Sequence, residues 1–406
     1  MTSLGEVPDE VGAPRGPDGW ENWRAFERGD ASEGEIVEFS YYSDSHLTGE
    51  IREDLGPYEL LNTVPAGPIP PQPGAVEHSL VIRVAVHDAY ENQYRRPGRH
   101  DDPESGWRKP DIGSYHGGGI GDELGALLAL ALGIRLRCGG ITRSFGGWTA
   151  DDPLGRPVEY AHEIPPIVRP ARNRPPVLPL IARSSVNLDQ SVPLMKTYPT
   201  LGIEDAVALV RAARQYEQGV WVCDADAGIS WLALVSAVEV AAERWRGYKK
   251  GSVVDRFRAN APDIAAIVEP AGQEIVLGLA KALAPQLKSG DRFRKFLTTF
   301  APDPPQPRPI HAALDWSNLD AALREIYARR SEALHAGVPI PHVMQMAPRP
   351  SGDGRYEETI GAIGVWSGPN YWPSISVPMN LHTFEYIVRH ALLAWWRQMT
   401  TPTAAS

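Results

Sequence analysis

A change of pattern near residue 200 constrains this chain more than any other feature. From 151 to 200 prolines dominate, as in Pro165-Pro166, Pro175-Pro176 and Pro179. Beyond 200, apolar residues recur at helical spacing in one segment after another. Proline fixes φ and removes a backbone donor, so the first stretch reads as an extended connector. The second reads as a bundle, because residues three and four apart share a helix face. The segments with this period are Asp205–Tyr216, Ile229–Trp245, Ile264–Val268, Gln273–Leu283, Asp291–Phe300, Leu319–His335 and Leu381–Met399. Ahead of the connector, strand signals occur at Glu35–Tyr42, Leu80–Val86 and Ile134–Cys138, with one apolar helix at Gly121–Leu132. The expected fold is α+β, an irregular strand-containing N-terminal region followed by an all-α bundle. Residues 1–34, polar and rich in glycine, proline and acids, are expected to form a flexible tail. Residues 35–200 would then be a mixed α/β region and residues 201–400 a helical domain, with the boundary near 200.

The formal charge of −10 is unevenly placed. Residues 1–200 hold 19 Lys and Arg against 29 Asp and Glu, and residues 201–406 hold 21 against 21. The neutral helical half tolerates a polyanion, whereas the acidic half repels one, which suits a regulatory or sensor role. Cys138 and Cys223 are the only cysteines. They leave no disulfide framework and no cysteine-based zinc site, so a reducing cytoplasm is expected. Met1–Arg28 has no apolar core of a signal peptide, and the longest apolar run, Leu124–Ile134, is about half the ~20 residues of a spanning helix. A soluble protein with no membrane partner is expected. The histidines are dispersed, with no His-Glu-x-x-His pair, no Gly-x-Ser-x-Gly elbow and no phosphate-binding Gly-x-x-x-x-Gly-Lys-Ser/Thr loop. No metal and no cofactor are therefore expected. The glycine run Gly117–Gly121 stands at a helix start that can cradle an anion, but Asp122 and Glu123 sit where the anion would go.

The sharpest candidate site is on the Leu319–His335 segment. Leu319, Leu323, Ile326, Tyr327 and Leu334 form one apolar stripe, and Arg330 falls inside it. A guanidinium there keeps its proton and is costly to desolvate unless a carboxylate, carbonyls or a phosphate meets it. His335 follows five residues later, and Gly337 suits a left-handed helix cap. The run Tyr327-x-x-Arg330-Ser331-x-x-Leu334-His335-x-Gly337 resembles the signature of the HEPN domain, whose nuclease members carry Arg-x(4 to 6)-His. The resemblance covers roughly residues 200–400. It implies a small helical bundle, a homodimer that brings two copies of the motif together, and RNA as substrate. It further implies a metal-independent endoribonuclease leaving 2′,3′-cyclic phosphate ends, as in toxins and anti-phage effectors, with a regulator acting on the N-terminal region. On it, Arg330 and His335 are the catalytic pair, and Ser331, Arg329 and Tyr327 are accessory or substrate-binding residues. Glu239, with Ser236 beside it, is the polar contribution from an early long helix.

The residue types suit that chemistry. Cutting RNA without a metal needs a base for the 2′-hydroxyl, an acid for the 5′-oxygen and positive charge for the phosphorane. Histidine exchanges a proton near neutral pH, and arginine offers forked donors to two phosphate oxygens. Five residues place His335 about 140° round an ideal helix from Arg330, which favours a site assembled from two protomers. Spacing alone is not specific, since Arg95 and His100 also stand four residues apart. Two other classes compete: a non-catalytic module binding RNA or a nucleotide, and a structural dimerisation protein in which Arg330 pairs with an internal acid. Lys288, Arg292, Arg294 and Lys295 among Phe293, Phe296 and Phe300, together with Arg244, Arg246, Lys249 and Lys250, read either as a single-stranded RNA track or as a solvated basic face over a phenylalanine core.

Overall fold

The computed structural model describes residues 15–29, 36–63, 77–87, 100–101, 108–109, 113, 115–146, 153–158, 175–182, 185–248, 251–352 and 355–401. The fold is α+β. Its strands are β1 (Ile36–Ser43), β2 (His46–Thr48), β3 (Glu50–Leu55), β4 (Tyr58–Asn62), β5 (Glu77–Ala85), β6 (His100–Asp101), β7 (Arg108–Lys109), β8 (Arg137–Ser144), β9 (Arg156–Pro157), β10 (Ser185–Asn187), β11 (Gly364–Ser367) and β12 (Asn370–Pro373). The helices are α1 (Asp18–Glu27), α2 (Ile120–Leu132), α3 (Val192–Met195), α4 (Ile203–Val222), α5 (Ala227–Arg244), α6 (Val253–Asn260), α7 (Pro262–Val268), α8 (Gln273–Phe300), α9 (Leu319–His335) and α10 (Leu381–Thr400).

Six strands form one antiparallel sheet in the order β3-β4-β5-β1-β8-β9. Alternation sets its faces: Leu80, Ile82 and Val84 of β5 are fully buried, and Ile82 stands opposite Phe39 of β1. Helix α2 lies on this face because glycines remove the side chains that would hold it away. A β-carbon on Gly121 would stand 2.6 Å from Phe39 and 2.8 Å from Cys138, and one on Gly125 would stand 2.9 Å from Tyr41. The Tyr41 hydroxyl donates to the Gly121 carbonyl at 2.7 Å. The strand expected from Ile134 begins only at Arg137, and Ile134 and Leu136 are buried in the turn before it.

The tail expected over residues 1–34 is not uniform. Within it α1 is a docked helix, with Trp20 and Trp23 buried and the Trp20 indole donating to the Leu201 carbonyl at 3.1 Å. Two large aromatic surfaces outweigh the surrounding charge. The end of the expected connector is likewise packed, since Leu188, Leu194, Met195 and Tyr198 are buried. Pro165 and Pro166 lie outside the described residues.

Beyond the boundary near 200 the chain is mainly helical rather than the all-α bundle expected, since β11 and β12 form an antiparallel pair there, and the boundary does not divide the core. One continuous apolar cluster runs from Trp20 and Leu80 through Leu128, Tyr216 and Trp231 to Trp396. Arg135 and Arg389 are among the side chains that join the halves. Arg135, after α2, donates to Asp44 at 2.7 Å, to Asp224 at 2.6 Å and to the Val220 carbonyl at 2.8 Å. Arg389 of α10 donates to the Leu130 and Ala131 carbonyls at 2.9 and 2.7 Å, satisfying acceptors that the end of α2 leaves open.

Helices α4, α5, α8, α9 and α10 form the bundle. Trp231 of α5 stacks on Phe384 of α10 at 4.8 Å, and Phe293 of α8 meets Tyr327 of α9 at 5.2 Å. The two segments expected at Gln273–Leu283 and Asp291–Phe300 are one helix, α8. Buried faces at both ends, Val276 and Ala280 in one and Phe293, Phe296 and Leu297 in the other, hold it through Pro285. The first half of α8, with α6 and α7, carries a separate small core of Phe257, Ala265, Val276 and Ala280.

Candidate functional site

Helix α9 supplies the centre of the site. Leu319, Leu323 and Ile326 are buried, Tyr327 is half-buried, and Leu334 is 51% exposed. The stripe therefore ends one turn earlier than its sequence period indicates, because the last turn of α9 leaves the bundle. Arg330 stands where the stripe runs out, with its side chain 19% exposed. The partner its burial requires is Glu239 of α5, whose carboxylate accepts from Arg330 Nη2 at 2.6 Å. The other Glu239 oxygen accepts from the Tyr327 hydroxyl at 3.0 Å. The guanidinium also lies 5.8 Å from the centre of the Tyr327 ring. Burial and the adjacent Glu239 charge push the Tyr327 phenol up to about 12, so it acts as a donor at neutral pH.

Tyr327, Arg330 and Glu239, expected to belong together, thus form one hydrogen-bonded cluster. The remaining expected residues sit apart from it. Arg329 turns to Glu325 at 2.5 Å and Glu332 at 3.1 Å, and lies 5.5 Å over the Trp372 ring of β12. Ser331 is half-buried, and Ser236 likewise on α5. His335 ends α9, exposed to solvent, with no hydrogen bond or ion pair among the described residues. Gly337 takes φ +68, as its place after the helix requires, and the Val338 amide returns to the Glu332 carbonyl at 3.3 Å.

A cleft of about 710 Å³ opens beside the cluster, lined by Glu239, Val207, Arg211, Arg244, Ser289 and Arg292 among others. Two of its cations are matched by acids, while Arg211 donates to the Tyr115 and Gly113 carbonyls. Arg244 pairs with Glu204 and Asp205, and Arg292 with Glu243. The same holds along α8, where Lys295 pairs with Asp291 at 3.1 Å and Arg294 with Asp320 at 2.6 Å. Phe293, Phe296 and Phe300 are buried. The basic and aromatic residues of 288–300 therefore form a paired ionic face over a phenylalanine core. Lys249, Lys250 and Arg95 lie outside the described residues.

A second polar centre, which the sequence pattern does not reveal, surrounds the start of α2. There Gly119 donates to the Asp122 carboxylate at 3.1 Å, so the helix caps itself. Glu123 is fully buried and caps a different helix, accepting from the Gly19 and Trp20 amides of α1 at 2.9 and 3.1 Å and from the Tyr198 hydroxyl. Burial pushes its carboxyl up to about 8 against the lowering effect of those donors. The only sequence signal is an acid at the head of an otherwise apolar helix. Among the described residues no three His, Cys, Asp or Glu side chains are grouped to hold a metal ion, and no helix is long and apolar enough to cross a membrane.

Comparison with protein-family models, curated proteins and solved structures gave no match for this chain.

Proposed function

We propose that this protein is a metal-independent endoribonuclease of the HEPN type, with His335 as acid and base and Arg330 as ligand of the scissile phosphate. The observation that carries this reading is the anchoring of Arg330. Glu239 and Tyr327 fix one edge of its guanidinium where the bundle opens to solvent, and a fixed cation needs little reorganisation as charge builds on a phosphorane. His335, five residues on, is exposed and can exchange protons with a substrate. The two do not share a helix face, so the reading includes a homodimer in which each active centre draws on both copies. Leu334 and Val338, exposed to 51% and 46%, flank His335 and offer such a contact an apolar component. In a symmetric centre one His335 takes the 2′-hydroxyl proton and the other delivers a proton to the 5′-oxygen, giving a 2′,3′-cyclic phosphate and a 5′-hydroxyl. An activity of this kind calls for restraint, which fits a toxin or anti-phage effector governed through its acidic first half.

One observation favours a second reading. Arg330 and Glu239 are each about four-fifths buried, as in an internal ion pair that serves only the fold. Incubating the protein with total cellular RNA in EDTA separates the two. Discrete fragments with cyclic-phosphate ends are expected from the nuclease, and intact RNA under every condition of concentration and pH would support the structural pair.

A further inference from the structure

A second cavity, of about 400 Å³, lies where the first half of the chain meets α4, lined in part by His116, Gly117, Arg137, Arg211, Arg214 and Gln215. Three guanidinium groups are fixed around it. Arg137 is held by Glu217 at 3.1 Å and Gln218 at 2.7 Å, and lies 4.9 Å over the Trp221 ring. Arg214 spans the Gly117 carbonyl at 3.1 Å and Asp122 at 3.3 Å. Arg211 donates to the carbonyls of Tyr115 and Gly113 at 2.8 and 3.1 Å. Against these stand the carboxylates of Glu217 and Asp122; burial raises the Glu217 carboxyl, while Arg137 and Arg214 act to lower it.

His116 supplies an independent sign of a ligand. Its side chain is 5% exposed, and its Nε2 lies 3.7 Å from Glu123 Oε2, beyond hydrogen-bond length. Its Nδ1 is buried with no hydrogen-bond partner among the described residues. A buried polar nitrogen left in this way costs free energy, which a hydrogen-bonding group brought in by a ligand would offset once the ring turns toward the cavity.

We propose that this cavity binds a small phosphorylated ligand of mononucleotide size. Forked guanidinium donors match phosphate oxygens in pairs. The volume falls in the range of about 300–1,000 Å³ typical of small-molecule sites and exceeds what a bare phosphate fills. At the rim, Tyr115 is 67% exposed and presents a ring to a base. Gly117, at φ +89, turns the backbone past the mouth without a side chain. The N-terminus of α2 is not the anion site, since Asp122 already occupies it.

The test is isothermal titration of the full chain with inorganic phosphate and with AMP, GMP, CMP and UMP, repeated on His116→Gln and Arg214→Gln. At least one nucleoside monophosphate is expected to bind saturably and about tenfold or more tighter than phosphate, with about tenfold loss in each folded variant. Should His116→Gln fail to fold, Arg214→Gln, on a partly exposed side chain, decides alone. Three outcomes overturn the proposal: no saturable binding of any probe, phosphate matching every nucleotide, or unchanged affinity in the variants. Neither substitution touches Arg330 or His335, so the result stands apart from that of the RNA cleavage assay.

Discussion

Replacing Arg330 with Gln removes one half of the pair on which the candidate site is built. Glu239 then keeps only the Tyr327 hydroxyl at 3.0 Å, while its side chain remains about 79% buried, the complement of its 21% exposure. Fully exposed pairs contribute about 0.2–1 kcal/mol, and breaking fully buried ones costs about 3–5 kcal/mol. With about a fifth of each partner open to water, the expected cost is about 2 kcal/mol for Arg330→Gln and a similar amount for Glu239→Gln. The double variant should lose little more than either alone, a coupling of about 1–2 kcal/mol. Urea unfolding of the four proteins measures this, since a stability change moves the midpoint without changing the slope. Single costs below about 0.5 kcal/mol that simply add would refute an anchored guanidinium, and with it the preorganisation argued for the site.

Other consequences follow from the fold. Arg135→Met leaves Asp44 and Asp224 buried without their shared cation, and a loss of about 3–5 kcal/mol is expected in the same urea assay. Gly121→Ala drives a β-carbon into Phe39 and Cys138, and should cost about 1–3 kcal/mol, seen as a lowered Tm. Glu123 gives a pH signature. Its folded-state pKa is raised to about 8, so its contribution is fully present below the unfolded value of 4.5 and is lost as pH rises through 8. Wild-type stability relative to Glu123→Gln should therefore fall between about pH 5 and pH 9. A rise over that window would mean that the three donors outweigh burial and the carboxylate stays ionised. His382 runs the opposite way: burial lowers it to about 4, so its contribution is present above 6.5 and lost as pH falls toward 4, which an NMR titration of the ring reads directly.

Which parts of this were legible in the sequence depends on how local the controlling physics is. The alternation of Leu80, Ile82 and Val84 and the helical period of Asp205–Tyr216, Ile229–Trp245 and Leu381–Met399 are set by neighbours along the chain, and elements stand at each, with α4 running on to Val222. The sheet order is not local, because β1 is clasped between β5 and β8, drawn from distant parts of the chain. Helix α1 hides in a charged stretch whose two tryptophans find their pocket only against β3–β4 and Leu201. At the site, the need of Arg330 for a carboxylate, carbonyls or a phosphate was readable, whereas its pairing with Glu239, 91 residues away, is set by how α5 and α9 pack. That Leu334 is exposed was not readable, since the period continues past the point where α9 leaves its neighbours. The meeting of His116 and Glu123 with Tyr198 and the head of α1 joins three separate stretches, and no spacing rule reports it.

The central claim is that His335 performs chemistry which Arg330 supports. The most direct measurement is single-turnover cleavage of an end-labelled RNA in EDTA by wild type, His335→Ala and Arg330→Ala, with RNA binding followed in parallel. The account predicts cyclic-phosphate products from wild type alone, binding retained by His335→Ala, and rates lower by about a hundredfold or more in both variants. Equal cleavage by wild type and His335→Ala would contradict it.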